Sequence, residues 1–83
     1  MNYRLSLDLE VYHFVRSLKQ NEADRLADWM DRLRELPFST GQFSVVDETG
    51  REIQVSRVDR FIIYHWTDHA VKTVRVNEIE PLD

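Results

Sequence analysis

The chain has 83 residues, of which 42% are hydrophobic and 31% charged, and its formal net charge at pH 7 is −4. This length fits one domain with a modest core, so we treat residues 1–83 as a single domain. The acidic balance argues against a general nucleic-acid binder, because neutralising phosphates requires a surplus of Lys and Arg. The chain has no cysteine, which excludes disulfides and thiolate metal ligands and suits a reducing compartment.

The N-terminal segment "MNYRLSLDLEVYHFVRS" is interrupted by charged side chains, including Arg4, Asp8 and Arg16. It lacks the uninterrupted apolar region of a signal peptide or a membrane span. We therefore predict a cytoplasmic protein that does not engage a membrane.

Within the same segment, residues 3–5 can form a short strand. Apolar side chains at helical spacing then predict a first helix over residues 7–19, which Ser6 or Asp8 could cap.

A second helix is predicted over residues 22–36. Asn21 is placed to cap its first turn, and Pro37 disfavours helical geometry at the preceding residue, which ends the helix. The two helices form an antiparallel hairpin whose apolar stripes should cover a sheet. The side chains expected between helices and sheet are Leu18, Leu26, Met30, Leu33, Ile63 and Val74.

From Gly41 onward the pattern is typical of strands. "QFSVV" should pair with "REIQVSRV" across "DETG", where Gly50 can take positive φ. "RFIIYHWT" should pair with "AVKTVRVNEI" across Asp68-His69, which would place Ile63 opposite Val74, Phe61 opposite Val76 and His65 opposite Lys72. Apolar residues on both faces of strand 60–67 predict a central position. The predicted fold is α+β: a strand, a two-helix hairpin, then an antiparallel sheet of three to four strands.

This order of elements resembles the RelE/ParE superfamily of toxins from bacterial type II toxin–antitoxin modules. The resemblance covers nearly the whole chain and rests on "LRELPF" at the end of the helical hairpin, on "Ile-Ile-Tyr" in the central strand, and on the last strand "VKTVRVNEIEP". It implies a curved sheet with helices on one face, an antitoxin segment that wraps the domain, and roles such as plasmid stabilisation. The implied partners are a cognate antitoxin and either the ribosome with its mRNA or DNA gyrase.

In the ribosome-dependent RNA-cutting members, the resemblance also implies basic side chains that hold and polarise the scissile phosphate. Two of those positions fall here at Glu52 and Gln54, and an expected Arg falls at Phe61. Arg60 is one residue early, so it would point to the opposite side of a regular strand. Cleavage needs positive charge where negative charge develops, and Glu52 would oppose it. The family's ribonuclease site is therefore not expected in this chain.

Other chemical motifs are weak. His65, Asp68 and His69 surround one predicted turn, but their spacing suits turn chemistry better than a metal site. A Ser/His/Asp set lacks the strand–turn–helix elbow of a hydrolase. Glu78 and Glu80 share a face of the last strand, where we expect solvation and no raised pKa. We predict no metal and no cofactor.

The basic side chains on the sheet carry the remaining hypotheses. The leading one is a toxin homologue that binds a partner protein, foremost an antitoxin, through Arg51, Arg57, Arg60 and Arg75. The first alternative is a ribosome-dependent mRNA endoribonuclease with a shifted catalytic set of Arg57, Arg60, His65 and Arg75. The second is a non-toxic domain that self-associates as a homodimer. The sequence leaves open whether the protein is an enzyme.

Overall fold

The computed structural model of the chain describes residues 3–82. Its elements are β1 (Arg4–Leu7), α1 (Leu9–Arg16), α2 (Gln20–Glu35), β2 (Phe43–Val46), β3 (Glu52–Val58), β4 (Phe61–Asp68) and β5 (Thr73–Pro81). The sheet order is β1-β5-β4-β3-β2, with β1 parallel to β5 and the other pairs antiparallel. The predicted α+β class is confirmed, and β1 joins the same sheet, which brings the strand count to five.

Helix α1 is shorter than predicted because its flanking residues have other roles. Leu7 remains in β1, where it pairs with Val76, and the helix starts at Leu9 after Asp8. Ser17 closes the helix by donating its hydroxyl to the Phe14 carbonyl. The predicted caps are wrong. The Asp8 side chain makes no capping hydrogen bond to α1, and the N-cap residue of α2 is Lys19 instead of Asn21, again without a side-chain hydrogen bond.

The predicted core is largely confirmed. Leu26, Met30, Leu33, Ile63 and Val74 are buried, and Leu18 packs against the core at its partly exposed rim. Strand β4 lies between β3 and β5, as its apolar faces predicted. Helix α2 ends at Glu35, immediately before Leu36-Pro37. Among the described residues, no helix is long and apolar enough to cross a membrane.

The first hairpin forms as predicted. Strands β2 and β3 flank the turn 47–50, in which the Asp47 carboxylate accepts hydrogen bonds from the Thr49 and Arg51 N–H groups. Gly50 adopts φ 84°, a left-handed conformation that favours glycine. A two-residue turn at Asp59-Arg60 then leads into β4, since Val58 pairs with Phe61.

The second hairpin has a different register from the prediction. Asp68 pairs with Thr73, so residues 69–72 form the connection and the turn is not Asp68-His69. This connection moves the pairing by four residues, which places His65 opposite Val76, and a register shift between Tyr64 and His65 moves it by one more, which places Ile63 opposite Ile79 and Phe61 opposite Pro81. The shift next to Tyr64 is of the kind that a β-bulge produces, and no local sequence signal marks it.

Candidate partner-binding surface of the sheet

The sheet has one face against the helices and one open face. Along β4, burial alternates: Phe61, Ile63 and His65 are buried, whereas Ile62, Tyr64 and Trp66 are half-buried. The buried set packs against the helices and the half-buried set lies on the open face, because successive strand side chains point to opposite sides. We call this second side, with Ile62, Tyr64 and Trp66 along its centre, the open face.

Two of the four predicted anchor arginines meet at Trp66. The guanidinium carbon of Arg51 lies 3.9 Å from the centre of the indole, and that of Arg75 lies 5.7 Å from it. Arg75 is the cross-strand partner of Trp66, whereas Arg51 reaches it from the position immediately before β3. Guanidinium groups over an aromatic face are stabilised by the ring quadrupole, and Arg51 also forms an ion pair with Asp47, with 3.9 Å between its Nη1 and the Asp47 Oδ2. This arrangement forms a cationic, aromatic patch.

The other two predicted anchors lie at the opposite end of the sheet. Arg57 pairs with Ile62 on the open face and donates its Nε to the Asp59 carbonyl. Six residues of extended strand separate it from Arg51, which amounts to about 20 Å. Arg60 sits in the β3–β4 turn and donates two hydrogen bonds, of 2.7 and 3.2 Å, to the Glu22 carboxylate on α2. The four arginines therefore do not form one cluster.

A shallow concavity of about 290 Å³ lies between this patch and β2. Its walls include the apolar side chains Val45 and Ile53, together with Tyr64, Arg51 and the Glu78 carboxyl. Strand β2 contributes exposed apolar atoms, while Ile53 is almost fully covered by its neighbours. Apolar walls with a few charged groups at the rim are typical of a surface that receives another chain.

His65 is not available to the shifted ribonuclease set. Only 1% of its surface is exposed, its Nε2 shares a 2.8 Å hydrogen bond with the Ser56 hydroxyl, and its ring lies edge-on to Trp29. Burial lowers the pKa of the imidazole to about 4, so it is neutral at pH 7. It faces the helices, whereas Arg75 lies on the open face. The fold therefore separates these two residues by the thickness of the sheet.

The positions expected to be basic in a ribonuclease are not basic, and one of them, Phe61, is buried away from the other two. Phe61 is buried and lies edge-to-face with Phe14 in the core. Gln54 accepts a hydrogen bond from the Gly41 N–H and donates one to Glu52. Glu52 and Gln54 line a cleft of about 330 Å³ in which Arg51 is the one Lys or Arg among the described lining residues. Such a cleft offers little stabilisation to a developing phosphate charge.

The polar side chains at the β4–β5 connection make structural contacts. The Asp68 carboxylate accepts a hydrogen bond from the Ala70 N–H, as a turn aspartate does. His69 stacks on Phe38 at 4.5 Å, and its Nδ1 lies 2.8 Å from the Tyr3 hydroxyl. Across residues 3–82, no three His, Asp or Glu side chains are arranged to hold a metal ion.

An acidic pair on the open face was misjudged from the sequence. Glu78 and Glu80 lie opposite Tyr64 and Ile62, and hydrogen bonding to Glu80 raises the pKa of Glu78. Burial, followed by the hydrogen bond from Tyr64 to Glu80, raises the pKa of the Tyr64 phenol. Both carboxyls are exposed to solvent, as expected, but the expectation of no raised pKa is wrong for Glu78, because the hydrogen bond to Glu80 favours its protonated form. The sequence signal for this pair was the i, i+2 spacing of Glu78 and Glu80, which places both side chains on one face of a strand.

The whole chain superimposes on chains from two solved toxin–antitoxin complexes. One is the archaeal RelE-RelB complex from Pyrococcus horikoshii OT3, with a TM-score of 0.79 at 15% identity, covering 98% of this chain and 96% of that one. The other is the toxin-antitoxin complex RelBE2 from Mycobacterium tuberculosis, with a TM-score of 0.78 at 12% identity, covering 98% and 99%. No protein-family model and no curated protein sequence matches. The chain thus has a RelE-like toxin fold.

Proposed function

We propose that this protein is a RelE/ParE-like toxin homologue that acts in the cytoplasm mainly by binding a macromolecular partner, foremost a cognate antitoxin. The observation that carries the proposal is the fold itself, which nearly the full chain shares with chains of two toxin–antitoxin complexes.

The open face supplies chemistry that suits such a partner. Arg51 and Arg75 are held against Trp66, and a guanidinium held in this way can receive a carboxylate bidentately with little loss of side-chain entropy. The adjoining concavity is walled by Val45 and Ile53, which favour an apolar side chain of the partner. A segment that combines acidic and apolar residues matches both features.

The ribonuclease alternative has less support. Its shifted set requires Arg57, Arg60, His65 and Arg75 to surround one phosphate. His65 is buried on the helix side, Arg60 is engaged by Glu22, and Arg57 lies near the other end of the open face from Arg75. A single phosphodiester cannot contact groups that lie on two sides of a sheet.

The test is co-expression of the chain with the product of the adjacent gene, followed by titration calorimetry of the purified pair. We expect a stable complex, and the double variant Arg51→Glu/Arg75→Glu should weaken it by about tenfold or more through charge reversal at the patch. Arg34→Glu is the matched control, since Arg34 lies on α2 and pairs with Asp31. Its affinity should stay close to that of the unmodified protein.

Two results would count against the proposal. If no adjacent product forms a complex, the antitoxin assignment fails. If the complex forms but the double reversal binds as tightly as Arg34→Glu, the partner uses another surface and the patch is excluded. Growth of a bacterial host that expresses the chain alone provides a separate measure of toxicity.

A further inference from the structure

Strand β2 is an edge strand without the usual protection. All four of its residues are exposed, with Phe43 at 59%, Val45 at 43% and Val46 at 70%. Natural edge strands are commonly protected by Lys, Pro or inward-pointing charges. Here the segment 36–46 contains no charged residue at all, although 31% of the chain is charged. An uncharged, β-branched edge of this kind is suited to pairing with another strand.

The register shows which main-chain groups the edge offers. Asp47 donates its N–H to the Arg51 carbonyl at 2.9 Å, so positions 47 and 51 form a hydrogen-bonded pair. Hydrogen-bonded and non-hydrogen-bonded pairs alternate along an antiparallel ladder. The pairs of Ser44 with Gln54 and of Val46 with Glu52 are therefore of the non-hydrogen-bonded kind. The N–H and C=O groups of Ser44 and Val46 consequently point away from the sheet.

We propose that this edge binds a second copy of the chain, with the two β2 strands antiparallel about a two-fold axis at Ser44. The two Ser44 residues then exchange both main-chain hydrogen bonds, and the sheets of the two protomers become continuous. Each Phe43 lies opposite Val45 of the second copy, so apolar side chains cover one another on the open face. A two-fold axis at Val45 would instead place the apolar side chain of Phe43 opposite the charged side chain of Asp47.

Charge favours a second copy over an unrelated strand. Arg57 lies beside the N-terminal end of β2, where its N–H bonds to the Gln42 side chain, and Asp47 follows the C-terminal end. Antiparallel pairing of two copies brings Arg57 of each protomer towards Asp47 of the other, at both ends of the interface. The uncharged strand between them places no like charges in opposition. The edge is therefore complementary to itself.

This inference goes beyond the proposed function and is independent of it, since it requires no antitoxin. A pair of four-residue strands buries less area than a permanent interface, so the dimer should dissociate on dilution. Sedimentation equilibrium across the micromolar to millimolar range should show a mass that rises from 10.0 kDa towards twice that value. A protein that remains monomeric throughout overturns the proposal.

Two variants of the edge test where the dimer forms. Val46→Lys places a charge on each protomer at the interface. Ser44→Pro removes an outward N–H and keeps the main-chain bonds to β3, while it also removes the Ser44 hydroxyl that donates to Glu52 at 3.4 Å. Both should give monomers over the whole range, and circular dichroism should show the fold unchanged. Val71→Lys is the matched control, because Val71 is 48% exposed in the β4–β5 connection, and it should dimerise normally. A dimer that survives Val46→Lys, or that Val71→Lys equally abolishes, overturns the proposal.

The absence of cysteine permits a direct test of the register. In a two-fold hydrogen-bonded pair the Cα atoms are about 5.5 Å apart, within the range that a disulfide spans. Ser44→Cys should therefore cross-link into a covalent dimer under mild oxidation, whereas Glu48→Cys in the exposed turn should not. If both cross-link equally, contact is by random collision and the proposal fails. A further outcome is a monomeric chain in which Val46→Lys abolishes binding of the adjacent gene product. The β2 edge would then bind that partner, and the proposed dimer would be overturned.

Discussion

The Ser56 hydroxyl and the His65 Nε2 lie 2.8 Å apart, hydrogen-bonded across strands β3 and β4 beneath helix α2. Both residues are buried, with 8% and 1% of their surfaces exposed, and the Trp29 ring closes the site from the helix side. Within residues 3–82, no carboxylate contacts the imidazole, so the pair lacks the third group that orients a catalytic histidine. We conclude that the pair satisfies polar groups in the core.

The buried His65 predicts a pH dependence of stability. Its pKa is about 4 in the folded protein, against 6.5 for an unperturbed histidine, so the unfolded chain binds the proton more tightly. Stability should therefore be complete above pH 6.5 and fall as the pH drops towards 4, by on the order of 3 kcal/mol from this group. Urea unfolding at several pH values measures the effect.

His65→Gln should flatten this part of the pH profile relative to the unmodified protein. His13→Gln is the matched histidine control, because His13 is exposed on α1. The assignment to His65 would be refuted by a slope that persists in His65→Gln.

The different burial of two leucines predicts that their replacement by alanine will have different effects on stability. Leu26 is fully buried between helix and sheet, whereas 69% of Leu9 is exposed at the start of α1. Leu26→Ala should cost about 2–5 kcal/mol of unfolding free energy through lost burial and cavity formation. Leu9→Ala should change it by less than about 0.5 kcal/mol, as surface substitutions usually do. Equal losses in denaturant unfolding would contradict the packing described here.

The close packing around Gly41 predicts that any residue with a Cβ atom will destabilise the fold at this position. A Cβ atom at this position would lie 2.4 Å from the Val55 carbonyl oxygen, and main-chain atoms of a central strand cannot easily move aside. Gly41→Ala should therefore destabilise the fold by about 1–3 kcal/mol, as overpacking does. Gly50→Ala, where the added atom meets open space, isolates the cost of positive φ alone. We expect it to be the milder of the two in thermal unfolding.

We further predict that the protein does not cleave translated mRNA efficiently. Glu52, Gln54 and the buried Phe61 cannot supply the positive charge that phosphodiester cleavage requires. Primer extension on mRNA from cells that express the chain should show no added cuts. Cuts that appear with the protein and vanish in Arg57→Ala or Arg60→Ala would instead support the ribonuclease alternative.

The local pattern of the sequence was sufficient for the elements and the core. Helical spacing identified Leu26, Met30 and Leu33, and apolar residues on both sides of strand 60–67 indicated its central place, because periodicity reports directly on which face is buried. The turn before Gly50 followed from residue chemistry alone. These features depend on neighbours that are close in sequence.

Tertiary structure alone decided the register of the last hairpin and the environment of its side chains. The four-residue connection 69–72 moves the strand pairing by four residues and the shift at Tyr64–His65 moves it by one more, so that Phe61 lies opposite Pro81 and not opposite Val76. It is also the packing of α2 over the sheet that buries His65, and the approach of two strands that places Arg51 and Arg75 at Trp66. Such contacts join residues distant in sequence, and their free energies depend on solvent exclusion and exact strand pairing, neither of which residue spacing encodes.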